Sequence, residues 1–241
     1  MPFRTLFFVS PLFFSVFALH ARPVVILPLG DSITQGGRVD RPETTYRLPL
    51  QKMLRAEGVD FDFTGSLKQG VQPAAVWPDV DGKPFDPDHE GHYGWKTAAV
   101  RDLLGKVIET YPSPADIVLI HLGTNDRRSG DFSADYVEPL RDIIRMVRAK
   151  NPRVVVLLGH LNVADGPAAV MRPLAESLAK EMSTPESPVV TVAHYEGFQS
   201  DPTAPGTDTF DWLHPNPAGQ EKMARKWFEA MKPYLRSSSR P

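Results

Sequence analysis

Apolar positions along this chain fall into two kinds of run, and the two kinds alternate. Val24–Leu29, Asp116–Leu122, Val154–Leu158 and Val189–Ala193 are short and almost continuously apolar, and Phe61–Thr64 is a shorter segment of the same character. Runs of this length suit parallel strands covered on both faces. Between them the apolar residues recur with helical spacing. Thr45–Glu57 places Tyr46, Leu50, Met53 and Leu54 on one side and is ended by Gly58. Lys96–Tyr111 groups Val100, Leu103, Leu104, Val107 and Ile108, and Ser133–Lys150 groups Leu140, Ile143, Ile144 and Val147. Pro167–Met182 reads as another helix. Asn216 and Pro217 open a last one, with Met223, Trp227, Phe228 and Met231 inward. Strand-helix alternation of this kind predicts a three-layer α/β fold, a flavodoxin-like doubly wound sheet of five parallel strands. No internal repeat, low-complexity tract or second domain is evident, so residues 22–236 are read as one domain with a frayed tail at 237–241.

Composition narrows this picture. At 241 residues and 41% hydrophobic, the chain can bury one sizeable core. A net charge of −2 gives no reason to expect a nucleic-acid partner. The absence of cysteine excludes disulfides, thiolate zinc sites and a cysteine nucleophile. The 24 prolines fall mostly between the periodic segments, which implies stiff, shaped loops. The first 21 residues stand apart: Arg4 precedes an apolar stretch, Leu6 to Leu19, and small residues follow. This is the pattern of a secretory signal peptide cleaved after Ala21 or Ala18, and its apolar part is short for a bilayer span. The expectation is a secreted or periplasmic protein with no stable membrane insertion after cleavage.

The polar residues that interrupt this pattern carry the chemistry. Gly30-Asp31-Ser32 ends the first strand and puts a hydroxyl where open α/β sheets form their ligand crevice. Gly91-His92-Tyr93-Gly94-Trp95 precedes a helix, Gly123-Thr124-Asn125-Asp126 follows the third strand, and Asp211-Trp212-Leu213-His214-Pro215 precedes the last helix. A parallel sheet brings these four loops to one edge. A serine hydroxyl needs a base, which His214 can supply; Asp211, three residues earlier, can orient the imidazole in a turn conformation. The oxyanion formed in acyl transfer needs fixed donors, for which the amides of Ser32 and Gly94 and the side chain of Asn125 are candidates.

These four blocks, in this order from Gly30 to Pro215, resemble those of the SGNH hydrolases, also called GDSL esterases. Thr34 stands where the name-giving motif has leucine, but Gly-Asp-Ser-Ile-Thr resembles the branch acting on carbohydrate esters, most of all carbohydrate esterase family 3 and its acetyl xylan esterases. The resemblance implies a Ser-His-Asp triad of Ser32, His214 and Asp211. It implies an oxyanion hole of Ser32, Gly94 and Asn125, no metal or other cofactor, and a small-molecule or polysaccharide ester as substrate. Gly91 competes with Gly94, which sits directly before the helix as the family's glycine does. Asp208 competes with Asp211 as a loop carboxylate.

Other residues have plainer expectations. His92, His121, His160 and His194 lack paired ligand spacing and are read as satisfied structural histidines. His89 and Glu90 are read as loop residues, and Arg127 and Arg128 as solvated. Trp77, Phe85, Tyr93, Trp95 and Trp212 suit either sugar stacking or small satellite clusters under the long 66–95 loop region. The reading is a serine esterase releasing a short acyl group from a sugar. A lipid or thioester hydrolase of the same fold and a non-catalytic glycan-binding module are the alternatives.

Overall fold

Alternate residues of the central strands face opposite helical layers, as strand geometry requires. In the computed structural model, which describes residues 22–235, six strands form one parallel sheet. They are β1 (Val24–Gly30), β2 (Phe61–Phe63), β3 (Glu90–Gly91), β4 (Ile117–His121), β5 (Val155–Gly159) and β6 (Val189–Val192). The helices are α1 (Ser32–Gln35), α2 (Arg47–Ala56), α3 (Thr97–Val107), α4 (Glu138–Lys150), α5 (Pro167–Met182) and α6 (Pro217–Leu235). Leu27 and Leu29, Val118 and Ile120, and Val156 and Leu158 enter one buried cluster with residues of α3, α4 and α5. Their neighbours Val24 and Ile26, Ile117 and Leu119, and Val155 and Leu157 enter a second with α2 and α6. Two apolar faces therefore explain the unbroken apolar runs. The expected export segment at 1–21 and the tail from 236 lie outside the described residues, none of whose helices is long and apolar enough to cross a membrane.

The main order is β2-β1-β4-β5-β6, the expected flavodoxin-like arrangement, so the chain runs outward in both directions from the β1/β4 boundary. The sixth strand is a correction. Glu90 and Gly91, expected in a loop, pair with Leu29 and Gly30 at the carboxyl end of β1. His89 and Glu90 are fully buried there. Two residues, one of them acidic, carry no hydrophobic signal. The burial is tolerable because Glu90 accepts hydrogen bonds from the Ser66 N–H and hydroxyl and the Tyr111 hydroxyl, and pairs with His92 Nε2 at 2.6 Å. Burial alone pushes the Glu90 carboxyl up, but these partners outweigh it and hold it below the usual range.

The histidines also differ from expectation. His92 is satisfied by Glu90, whereas the buried rings of His121, His160 and His194 have no hydrogen-bond partner on either nitrogen among the described residues. His121 ends β4, and His160 and His194 follow the carboxyl ends of β5 and β6. His194 packs edge-on against Trp227 and His121, with ring centroids at 4.4 and 5.5 Å. Burial pulls all three below the normal histidine range, His121 to about 4. A buried neutral histidine binds fewer protons than the unfolded chain below pH ~6.5, so its contribution to stability is lost as pH falls from there. For His121 the loss reaches about 3 kcal/mol near pH 4. Asp31, raised to about 6 by burial, acts in the opposite sense, so the comparison must be differential. Between pH 7 and pH 4, His121→Asn should lose about 3 kcal/mol less than the parent in denaturant titrations; parallel losses would contradict the assignment.

Candidate functional site

Ser32 is placed by a turn that tertiary contacts, rather than helix propensity, hold in shape. Four residues are too few for a self-stable helix. Asp31 caps α1 by accepting the Ile33 N–H at 3.0 Å. Thr34 Oγ1 hydrogen-bonds the Tyr46 hydroxyl at 3.0 Å, which gives the threonine of this motif a role leucine could not fill. Arg47, fully buried at the start of α2, donates to the carbonyls of Thr34, Gln35 and Pro87 at 2.9, 3.0 and 2.8 Å. Burial lowers its pKa to about 10, which still leaves a cation at neutral pH.

His214 reaches this turn across 182 residues of sequence, with Nε2 2.9 Å from Ser32 Oγ. Its Nδ1 lies 2.9 Å from each carboxylate oxygen of Asp211. The segment between them is a closed loop: Thr209 bridges Pro215, and the Phe210 N–H donates to the His214 carbonyl at 2.8 Å. Trp212 takes a φ of 69° at the tip, a costly conformation for a bulky residue. Asp211 Oδ1 also accepts the His214 N–H at 2.9 Å, so the carboxylate folds the loop as well as orienting the ring. Burial raises the Asp211 pKa, but the His214 amide, Arg41 and the imidazole outweigh it and hold it at about 2. Asp208 is elsewhere: fully buried, it pairs with Lys222 at 2.6 Å and accepts the Gln199 N–H, tying this loop to α6.

Arg41 was not legible as a site residue. Its guanidinium donates to Asp211 Oδ2 at 2.7 Å and to Glu43 at 3.0 Å, and sits 4.8 Å from the Phe210 ring centre. The Asp211 side chain is 40% exposed, so Arg41 supplies the restraint that burial would otherwise provide. Tyr93 covers the other partner, stacking on the His214 ring at 5.4 Å and 14°.

The three expected donors come from loops that are hydrogen-bonded together. The His92 N–H donates to the Gly30 carbonyl at 3.0 Å, Asn125 Nδ2 donates to the Trp95 carbonyl at 2.8 Å, and buried Asp126 accepts from the Thr97 amide and hydroxyl. Asn125 has a second amide hydrogen to offer. Gly91 pairs in the sheet and gives its N–H to His89 Nδ1 at 3.0 Å, whereas Gly94 is exposed, with a φ of 80° that glycine adopts freely. Beside these loops is a dimple of about 10 Å³ walled by Ile33, Thr124, Arg127, Leu161, Asn162, Val163 and Leu213. Arg127 is half-buried and donates to the Thr124 carbonyl at 2.8 Å, unlike the exposed Arg128, so only the latter is solvated as expected.

The aromatic residues divide. Trp77 and Phe85 stack on each other in a satellite cluster with Leu48 and Val80. Trp95 and Trp212 are 39% and 56% exposed at the crevice. No group of three or more His, Asp or Glu among the described residues is arranged to hold a metal ion.

The profile of the GDSL-like lipase/acylhydrolase family matches residues 29–222, a span holding all four blocks. The chain is 28% identical over 243 aligned positions to a multidomain esterase of Ruminococcus flavefaciens; the match covers 92% of this chain but 30% of that protein. Among solved structures, a carbohydrate esterase family 3 protein from Talaromyces cellulolyticus superposes with a TM-score of 0.72 and 28% identity, over 89% of this chain and 99% of that one. A serine-to-alanine mutant of an acetyl esterase, solved with acetate ion, gives 0.72 and 27% over 90% and 100%. A Clostridium thermocellum family 3 carbohydrate esterase, 24% identical with a TM-score of 0.70 over 90% and 98%, shares the fold. The chain belongs to the GDSL-like lipase/acylhydrolase family.

Proposed function

We propose that this protein is a carboxylic ester hydrolase that removes a short acyl group, acetyl, from a carbohydrate by way of an acyl-enzyme. The observation that carries the reading is the hydrogen-bonded series Ser32–His214–Asp211 at the carboxyl edge of the sheet, beside the β1/β4 boundary. Ser32 Oγ attacks the ester carbonyl carbon and passes its proton to His214 Nε2. Asp211 holds the ring with Nδ1 protonated and stabilises the imidazolium. The oxyanion is met by the N–H groups of Ser32 and Gly94 and by Asn125 Nδ2. Collapse breaks the bond to the sugar oxygen, which takes the proton from Nε2. Water, deprotonated by the same nitrogen, then attacks the acyl-enzyme and releases the acid and free Ser32.

The dimple supports a short acyl group. Ile33, Thr124 and Leu213 each adjoin a site residue in sequence, and about 10 Å³ holds little more than a methyl-sized group. The acetyl esterase and family 3 carbohydrate esterase resemblances support the same substrate class. The reading of residues 1–21 as an export segment supports a location outside the cytoplasm; an exported protein beginning at Arg22 or Leu19 is the matching observation.

The test is acetate release from acetylated oligosaccharides, together with rates on nitrophenyl esters of increasing chain length. Acetyl should be preferred. Val163→Ala, by widening the dimple, should raise the butyryl-to-acetyl rate ratio about 10-fold, the usual effect of a methylene or two of pocket space. Preference of the parent for long acyl chains would favour a lipid hydrolase, and sugar binding without hydrolysis would favour a binding module.

A further inference from the structure

Next to the triad, loop 37–44 faces loop 74–77 across a cleft of about 430 Å³, within the size range of small-ligand sites. The cleft is built rather than incidental. Gly37 and Gly70 meet backbone to backbone; a Cβ on Gly37 would lie 2.3 Å from the Gly70 Cα. The Val71 and Gln72 N–H groups donate to the Gly36 and Gly37 carbonyls at 2.9 and 3.1 Å, and the Val39 N–H donates to the Gln72 side chain at 2.6 Å. Trp77 Nε1 donates to the Thr44 carbonyl at 3.2 Å. Two irregular loops are thus fixed to each other, which removes an ordering cost from ligand binding.

The charges in the cleft cancel. Arg38 and Asp40 form a two-bond pair at 2.9 and 2.6 Å, and Arg41 is matched by Glu43 and Asp211. What remains is an alternation of donors and acceptors, flanked by the apolar side chains of Val39 and Val76, 57% and 84% exposed. A ring bearing hydroxyls on its edge and C–H groups on its face matches that surface; a charged ligand does not. Two contacts join the cleft to the reacting groups: Arg41 reaches from its wall to Asp211, and Arg38 faces the hydroxyl of Tyr93, whose ring lies on His214.

We propose that this cleft is a subsite for an uncharged sugar ring on the alcohol side of the ester. The proposal rests on the carbohydrate-ester reading, and the two fail separately. In full-length protein carrying Ser32→Ala, xylotriose, cellotriose and mannotriose are titrated by calorimetry, with trigalacturonate as the anionic comparison. At least one neutral trisaccharide should bind saturably and more tightly than trigalacturonate. Ala74→Trp, which fills the cleft from an exposed position, should raise its Kd at least 5-fold. Val76→Glu, which puts charge on the apolar lip, should raise it at least 3-fold, and melting temperatures should be unchanged. The proposal is overturned if no neutral trisaccharide binds, if the anion binds more tightly, or if both cleft variants bind like their parent. Acetate release from acetylated xylo-oligosaccharides by the Ser32 enzyme separates the readings. Sugar binding without acetate release ends the esterase reading alone; release with a KM indifferent to both cleft variants ends the subsite alone.

Discussion

The Ser32→Ala variant is expected to hydrolyse acetyl esters about 10⁴- to 10⁶-fold more slowly than the parent, the range seen when a serine hydrolase loses its nucleophile. That is roughly 5–8 kcal/mol of transition-state stabilisation. The loss stops short of the uncatalysed rate because the amide donors and the binding surface remain. Stability should not follow activity. The Ser32 hydroxyl bonds His214, whereas α1 is capped by Asp31 and braced by Arg47. Steady-state kinetics and a thermal melt of the same preparation check both halves. Turnover within 10-fold of the parent would remove Ser32 from the mechanism.

Asp211→Asn should lower kcat about 10³- to 10⁴-fold and leave KM within a few-fold. An amide can offer its N–H to His214 Nδ1, which moves the ring proton to Nε2 and makes the base a donor toward Ser32. The carboxylate at this position is held at about 2, so it stays ionised through the mildly acidic range and its contribution is lost only as pH falls from about 4 toward 2. Arg41 makes the outcome informative: it would retain Glu43 but face a neutral Oδ1 in place of Asp211 Oδ2. A kcat loss below 10-fold would transfer the orienting role away from Asp211.

The parallel architecture was readable because both faces of β1, β4 and β5 are buried, so each strand announces itself as a continuous apolar run. The helices were readable from their stripes, though some ends differ: α2 begins at Arg47 rather than Thr45, α3 gives way at Val107 to a 3₁₀ turn at Ile108–Thr110, and a π turn at Ser133–Val137 precedes α4. The approach of Ser32, Asp211 and His214 was foreseeable from strand-end placement and from the spacing of aspartate and histidine.

Other features left no such trace. β3 is two residues long and acidic, and its burial depends on Ser66, Tyr111 and His92 arriving from elsewhere. Arg41 and Arg47 look like ordinary loop and helix-surface cations in one dimension. Only the folded chain places one against Asp211 and the other beneath the nucleophile turn. The three histidines at the ends of β4, β5 and β6 were expected to be satisfied, yet among the described residues their buried ring nitrogens make no hydrogen bond, and His160 has only a 3.7 Å contact with Glu176.

Taken alone, then, the order of residues settled whatever depends on local periodicity and on strand ends: the layer architecture, the direction of the strands and the edge at which the polar blocks meet. Hydrophobic burial is a property of each segment and is written in its own composition. Charge pairing and hydrogen bonding between remote segments depend on distances of a few ångströms across the fold. The restraint on Asp211, the engagement of the Gly91 N–H by His89 and the cleft between loops 37–44 and 74–77 therefore became visible only in three dimensions.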